Sequence, residues 1–327
     1  MATLEEQLVR PQLLQRRQKL GEAISRFEEK TDLLRLLEEV DAALERLDDG
    51  SYGLCEGCHE LVEEDRLMAD PVIRFCLDCL TPYEQSALEQ DLGLASQVQT
   101  RLLPDPHIEF AGWEFAYHFE PAGPVSGDYC DLIESGRDQV LHFFLGDVAG
   151  KGVAASMLMT QLHAMFRSLI ALDLPLHELT ERVNRLFCES TMSGHYATLV
   201  SGRALGMGRL QLCNAGHCLP LLVREDEVIK LDLTHLPIGL FCVGKYSIQR
   251  LQLALGDTLV LYTDGLTEAC NATEDEYNLD RLVEALKDHR WLSTPELVKA
   301  CLDDLDLFLS GLPKTDDVTV VALRRLA

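Results

Sequence analysis

Gly146-Asp147-Val148-Ala149-Gly150-Lys151-Gly152 follows directly on the apolar run Leu141-His142-Phe143-Phe144-Leu145, so a carboxylate stands at a strand end with flexible glycines behind it. Three other places repeat the design. Ser126-Gly127-Asp128 opens a strand pattern, Asp264 follows Thr258-Leu259-Val260-Leu261-Tyr262, and Asp316-Asp317 precede Val318-Thr319-Val320-Val321-Ala322-Leu323. Each aspartate alone reads equally well as a turn residue. Repetition beside Gly127, Gly146 and Gly265 favours one shared site. Two carboxylates about 4 Å apart repel by roughly 4 kcal/mol at an effective dielectric near 20, so converging acids call for cations. All-oxygen donors select Mg²⁺ or Mn²⁺ over zinc or copper.

The chain of 327 residues has room for one sizeable domain and one or two small ones. Its formal net charge of -25 argues against direct nucleic-acid binding, which needs clustered Lys and Arg, and against anionic membrane surfaces. No run approaches the length of a membrane-spanning helix, and Glu5 and Glu6 do not fit a basic-then-apolar leader. A cytoplasmic setting is the expectation. Seven of the 11 cysteines (Cys130, Cys188, Cys213, Cys218, Cys242, Cys270 and Cys301) are scattered, and are expected to be unpaired, small, buried side chains.

The other four form Cys55-Glu56-Gly57-Cys58 and Cys76-Leu77-Asp78-Cys79, two pairs with 17 residues between them. That spacing predicts one tetrahedral, closed and therefore structural Zn²⁺ site, with His59 as a less favoured substitute ligand. Upstream, residues 12 to 30 and 32 to 49 carry Leu13, Leu20, Ile24, Phe27 and then Leu34, Leu37, Leu44, Leu47 at helical spacing, with a break at Lys30-Thr31-Asp32. Either a two-helix hairpin or one long bent helix results.

Downstream of the finger, Pro82 opens a helix in which Leu88, Leu92, Ala95, Gln99 and Leu102 recur at alternating four and three, and prolines 104 and 106 stop it. This coiled-coil-like linker serves either a homodimer or packing on its own domain. From about residue 107 strand patterns come in hairpins with helices in pairs, which indicates an α+β fold with antiparallel sheets. The expected organisation is 1–50 helical hairpin, 51–81 zinc finger, 82–104 linker helix and 105–327 main domain.

An ordered series of motifs now resembles a known family. Leu94-Ala95-Ser96-Gln97-Val98-Gln99 through Leu103-Pro104, Ser126-Gly127-Asp128-Tyr129, the stretch from Gly146 to Gly152, Asn214-Ala215-Gly216-His217, Leu236-Pro237-Ile238-Gly239, Tyr262-Thr263-Asp264-Gly265-Leu266-Thr267-Glu268 and Asp316-Asp317-Val318-Thr319 resemble, in order, SpoIIE-like bacterial protein phosphatases of the metal-dependent PPM superfamily. The resemblance covers about residues 94 to 327. It implies an α-β-β-α sandwich, two Mn²⁺ or Mg²⁺ ions, and hydrolysis of phosphoserine or phosphothreonine in a protein by a metal-activated water. Asp147 is similar to the bridging aspartate, with the Val148 carbonyl as a further ligand. Asp264 and Asp316 match the other direct carboxylates, Asp317 is the alternative to Asp316, and Asp128 acts directly or through water. Ser126 and Ala149 depart from the family's usual glycine and serine without removing a carboxylate. His217 is either an acid or substrate contact or a core residue, and Cys130 reads as structural.

Residues 38 to 81 resemble the DksA/TraR type of zinc finger, carried by Leu44 to Cys58, Arg66-Leu67 and the second CxxC. Two classes of function follow. In the first, the N-terminal module regulates a phosphatase whose phosphorylated partner is, by the family's frequent place in partner switching, a small anti-sigma-factor antagonist. In the second, the hairpin and finger bind RNA polymerase as a transcription modulator and the phosphatase-like domain is non-catalytic. A zinc or thiol sensor coupled to the phosphatase is a third reading.

Overall fold

The computed structural model describes residues 4–26, 31–63, 66–67, 70–135, 139–192, 194–232 and 234–327. Phe27 and Lys30, part of the predicted first helix and its break, lie outside them. Two compact units divide the chain, Met1–Asp91 and Leu92–Ala327.

In the first unit, α1 (Leu4–Arg26) packs on α2 (Thr31–Asp49) as a hairpin. Val9 and Leu13 meet Val40, Ala43 and Leu47, whose spacing of three and four puts them on one helix face. Leu47 is buried as expected, but Leu34 is 45% exposed. Val40 and the small Ala43 are fully buried instead. Arg46, in the last turn of α2, donates to Val72 O (3.1 Å) and Ile73 O (2.9 Å), fixing the helix to the segment that leads into the second cysteine pair. The helix α3 (Pro82–Thr100) starts on a reciprocal cap, in which the Glu84 carboxylate accepts from Thr81 N (2.9 Å) and Thr81 Oγ1 accepts from Glu84 N (3.3 Å).

The second unit is a four-layer sandwich. One sheet orders its strands β1 (His107–Phe110), β2 (Trp113–Glu120), β11 (Val318–Arg325), β10 (Thr258–Tyr262), β7 (Leu221–Arg224) and β8 (Glu227–Lys230). The other orders β3 (Asp128–Ser135), β4 (Val140–Val148), β5 (Ala197–Leu205), β6 (Arg209–Ala215) and β9 (Gln249–Gln252). All neighbours are antiparallel.

Alternation along each strand divides the core. Leu141, Phe143 and Leu145 of β4 meet Leu259, Leu261, Val321 and Leu323 between the sheets. Phe144 and Val148 of β4 turn outward onto Met159, Leu162 and Phe166 of α4 (Gly152–Ile170) and Leu179, Val183 and Phe187 of α5 (Leu176–Ser190). On the far side, Val260, Tyr262, Val318 and Val320 meet Leu282 and Leu286 of α7 (Leu279–His289) and Leu297, Leu305 and Leu309 of α8 (Thr294–Leu309). These strands are apolar on both faces because both faces are covered. The expected α-β-β-α sandwich of antiparallel sheets is therefore the observed fold.

Two strands, β1 and β8, are short: each is four residues long and largely exposed. Asp264 also lies beyond its strand, opening a helical turn, α6 (Asp264–Thr267). One cysteine expectation fails. Cys188 and Cys242 are bonded to each other, with Cα atoms 5.3 Å apart, so the seven scattered cysteines are not all unpaired. Asn184, one turn before Cys188 on α5, accepts from Gly239 N and donates to Phe241 O (2.8 and 2.9 Å) and so brings the Cys242 loop onto that helix. Cys270 is exposed and Cys218 half-buried, also against expectation.

Candidate functional site

Antiparallel register sets Asp128, the first residue of β3, directly opposite Asp147 near the end of β4. Asp264 and the pair Asp316-Asp317 come from the other sheet, at the end of β10 and the start of β11, which are themselves neighbours. Two threonines lock these ends. Thr263 N donates to Thr319 O (3.0 Å) and Thr319 N donates to Thr263 Oγ1 (2.9 Å). Both hydroxyls then donate across to Asp128 Oδ2, the Thr263 bond being 3.0 Å long, so a carboxylate of one sheet is held by the other.

Asp317 is spent on structure. Its Oδ2 accepts from Ser126 Oγ (2.7 Å) and Gly127 N (2.9 Å), and its Oδ1 from Ala122 N (2.8 Å). Asp316 instead has Oδ2 at 2.9 Å from Lys151 Nζ, which also donates to Thr315 O (3.0 Å). Lys151 precedes α4 between Gly150 and Gly152, whose φ angles of 103° and 73° need glycine. Backbone packing under the acids is equally tight: a Cβ on Gly265 would lie 2.1 Å from Asp317 O, and one on Gly127 3.2 Å from Val148 O.

The carboxylates raise one another's pKa. Burial first, then the charges of Asp264, Asp316 and Asp317, push Asp147 up to about 7, with Lys151 opposing. Asp264 is raised by burial and then by Asp316. Asp128 stands well above the usual carboxylate range, chiefly through burial, against the Thr319 bond and with Asp147 and Asp317 adding. Mutual destabilisation of this kind is what hard cations relieve, and the donor set is oxygen throughout.

His217 is buried, with Nδ1 at 2.8 Å from Thr198 Oγ1 and its backbone N donating to Asn214 Oδ1. Burial lowers its pKa to about 4. It is a core histidine. Cys130 is buried and its thiol pushed well up by burial, in keeping with a structural role. Sequence reasoning passed over Lys151 as the ion-pair partner of Asp316, Thr263 and Thr319 as the legs of Asp128, and Gln99, although all four lie inside the quoted motifs.

In the first unit, the donor atoms of Cys55, Cys58, Cys76 and Cys79 all lie within 4.8 Å of one another, and Cys58 and Cys76 Sγ are 3.6 Å apart. Four thiolates around zinc at about 2.3 Å are separated by about 3.8 Å, so the four fit one ion. For Cys55 burial works against the thiolate, but donation from Cys76, Cys58 and Gly57 N–H groups outweighs it and lowers the pKa to about 6. His59 is exposed with φ 62°, turning the knuckle outside the cluster.

The sequence model described as Stage II sporulation protein E (SpoIIE) matches residues 137–326, and that of the prokaryotic dksA/traR C4-type zinc finger matches residues 50–85. Among curated relatives, Protein IcfG of Synechocystis sp. is 28% identical over 265 residues, covering 72% of this chain and 41% of the relative. Phosphoserine phosphatase RsbU of Bacillus subtilis is 23% identical over 244 residues, covering 74% of this chain and 72% of the relative. The chain thus spans under half the length of the first and about three quarters of the second. The solved RsbU and RsbW domains of Rv1364c from Mycobacterium tuberculosis superpose with a TM-score of 0.58 at 28% identity, over 69% of this chain and 62% of that one. With its model matched over more than half of the sequence, the chain belongs to the SpoIIE family and carries a dksA/traR-type zinc finger before that domain.

Proposed function

We propose that the chain is a metal-dependent protein serine/threonine phosphatase whose N-terminal segments, 1–50, 51–81 and 82–104, regulate a catalytic domain of residues 105–327. The observation that carries this is the convergence of acids from both sheets, raised by one another's charge and set on glycine-dependent backbone. Membership of the SpoIIE family and likeness to a relative named phosphoserine phosphatase support the same reading. The RNA polymerase reading is not favoured, because it gives the convergent aspartates no task.

In this reading Asp147, Asp264 and Asp316 hold two Mn²⁺ or Mg²⁺ ions with the Val148 carbonyl. When bound, the ions would supply an activated water and neutralise phosphate charge. Asp317 belongs among the supports, since hydrogen-bond donors engage both of its oxygens. Asp128, held by Thr263 and Thr319, fixes the sheet junction beside Asp147. Lys151 balances the charge of Asp316 and stands at the start of α4, where it and the helix N-terminus favour an anionic substrate.

The four thiols take one structural Zn²⁺. The substrate is a phosphorylated protein of a partner-switching system, such as an anti-sigma-factor antagonist, and the setting is the cytoplasm. No helix among the described residues is long and apolar enough to cross a membrane. Homodimerisation through α3 is supported by Leu94 and Val98, 61% and 51% exposed one turn apart. The test is hydrolysis of a phosphoserine peptide with Mn²⁺, with chelator, and with Asp264→Asn, which should lower turnover by at least on the order of 100-fold. Activity indifferent to both chelator and Asp264→Asn would overturn the assignment.

A further inference from the structure

The first hairpin of the second unit carries another group of metal-binding side chains, remote in sequence from the aspartates. Glu109 of β1 is paired in register with Glu114 of β2, and His107 stands two residues from Glu109, on the same face of β1. One donor atom from each of the three lies within 4.8 Å of the others. His107 Nε2 is 3.2 Å from Glu114 Oε1. Nitrogen and oxygen ligands held at about 2.0–2.1 Å around a tetrahedral ion are about 3.3 Å apart, so this spacing is that of two neighbouring ligands.

The arrangement is anchored and carries excess negative charge. Glu114 is 8% exposed, and its Oε2 accepts from Thr294 N at the start of α8 (3.3 Å), which leaves Oε1 on the His107 side. Like charges directly opposite on neighbouring strands destabilise a sheet, and one of these two is buried. The Arg324 guanidinium lies near Glu114, yet its donors go to Thr258 Oγ1, Leu292 O and Arg290 O.

We propose that His107, Glu109 and Glu114 bind one divalent transition ion of the zinc type, with the remaining coordination open to water. The imidazole selects such an ion over Mg²⁺ or Ca²⁺. The ion clamps β1 to β2 directly after the two prolines that end the linker, and takes no part in hydrolysis.

The test uses the full chain with zinc already in the four-cysteine site and excess Mg²⁺ present to occupy the aspartates. Added Zn²⁺ is equilibrated, unbound metal removed, and bound zinc counted by mass spectrometry. One equivalent beyond the finger's is expected, lost in both His107→Ala and Glu109→Gln while the finger's equivalent stays. Both substitutions are on exposed side chains of the hairpin, so both variants should stay folded with the finger's zinc in place, and Glu109→Gln should unfold no earlier than the parent because it removes one of two facing charges. A wild type that takes up none beyond the finger's, or a further equivalent that survives in both variants, would sink the proposal. The first result would leave only a His–Glu hydrogen bond, and the second would put the ion on the aspartates.

Discussion

Gln99 grips Ser126 with both ends of its amide, Nε2 donating to Ser126 O at 2.7 Å and Oε1 accepting from Ser126 N at 2.9 Å. It is the buried residue of α3. Ser126 Oγ in turn donates to Asp317 and accepts from Asp128 N, so one side chain at the end of the linker helix supports the loop on which two site aspartates rest. The polar position of the expected coiled-coil seam is thus used within the chain's own domain.

Gln99→Ala should leave both backbone groups of Ser126 unsatisfied, costing about 1–3 kcal/mol of stability. Because Asp317 then loses a fixed partner, Mn²⁺ affinity should fall by about 10-fold. Urea unfolding and Mn²⁺ titration check the two effects separately. Unchanged metal affinity in a destabilised protein would mean that Ser126 supports the fold alone.

Gly265→Ala addresses the backbone under the site. The added Cβ would lie 2.1 Å from Asp317 O, an atom of the main chain that cannot swing aside. A loss of about 1–3 kcal/mol or more is expected, with Mn²⁺ binding weakened in parallel. Gly93→Ala is the control, since it sits in α3 with nothing within 4 Å and should be neutral or stabilising by about 0.5–1 kcal/mol. Equal effects of the two substitutions would count against the close-packed reading.

Charge was what made the site legible in the sequence. Asp128, Asp147 and Asp264 stand at strand ends beside glycines, Asp316 stands just before an apolar strand, and apolar runs such as Leu141 to Leu145 declare strands buried on both faces. Neutral hydrogen-bonding groups leave no such pattern. Thr319 serves Asp128 from 191 residues away, and Cys188 meets Cys242 across a separation of 54. Strands β1 and β8 leave little trace in the sequence for a related reason: four largely exposed residues hold too few alternations to separate a strand from a loop.

The Asp147 carboxyl, raised from 3.8 to about 7 in the metal-free protein, binds its proton more tightly folded than unfolded. Its stabilising contribution is therefore present at low pH and is lost as pH rises from about 4 to about 7, after which it is constant. A bound cation reverses the preference by favouring the carboxylate. The rise in Tm on adding Mn²⁺ should accordingly be small near pH 5, grow toward pH 7 and level off above it. Calorimetry with and without Mn²⁺ across that range checks this, and a metal-induced shift independent of pH would contradict it.

Zinc and manganese should act on separate parts of the chain. The thiols of Cys55, Cys58, Cys76 and Cys79 close the finger, and in a module this small, metal binding supplies roughly 10 to 16 kcal/mol of apparent folding free energy. The supports found for the aspartates, from Gln99 to Thr319, all lie within the other compact unit. Cys76→Ser should therefore abolish the finger's zinc and open residues 50–85 to protease, while Mn²⁺ affinity stays within about twofold of the parent. Mass spectrometry of the metal and of the proteolytic fragments, beside Mn²⁺ titration, reads each effect. Turnover is the remaining observable: a change in it at constant Mn²⁺ affinity would show that the finger regulates catalysis through protein contacts, and not through the metal site.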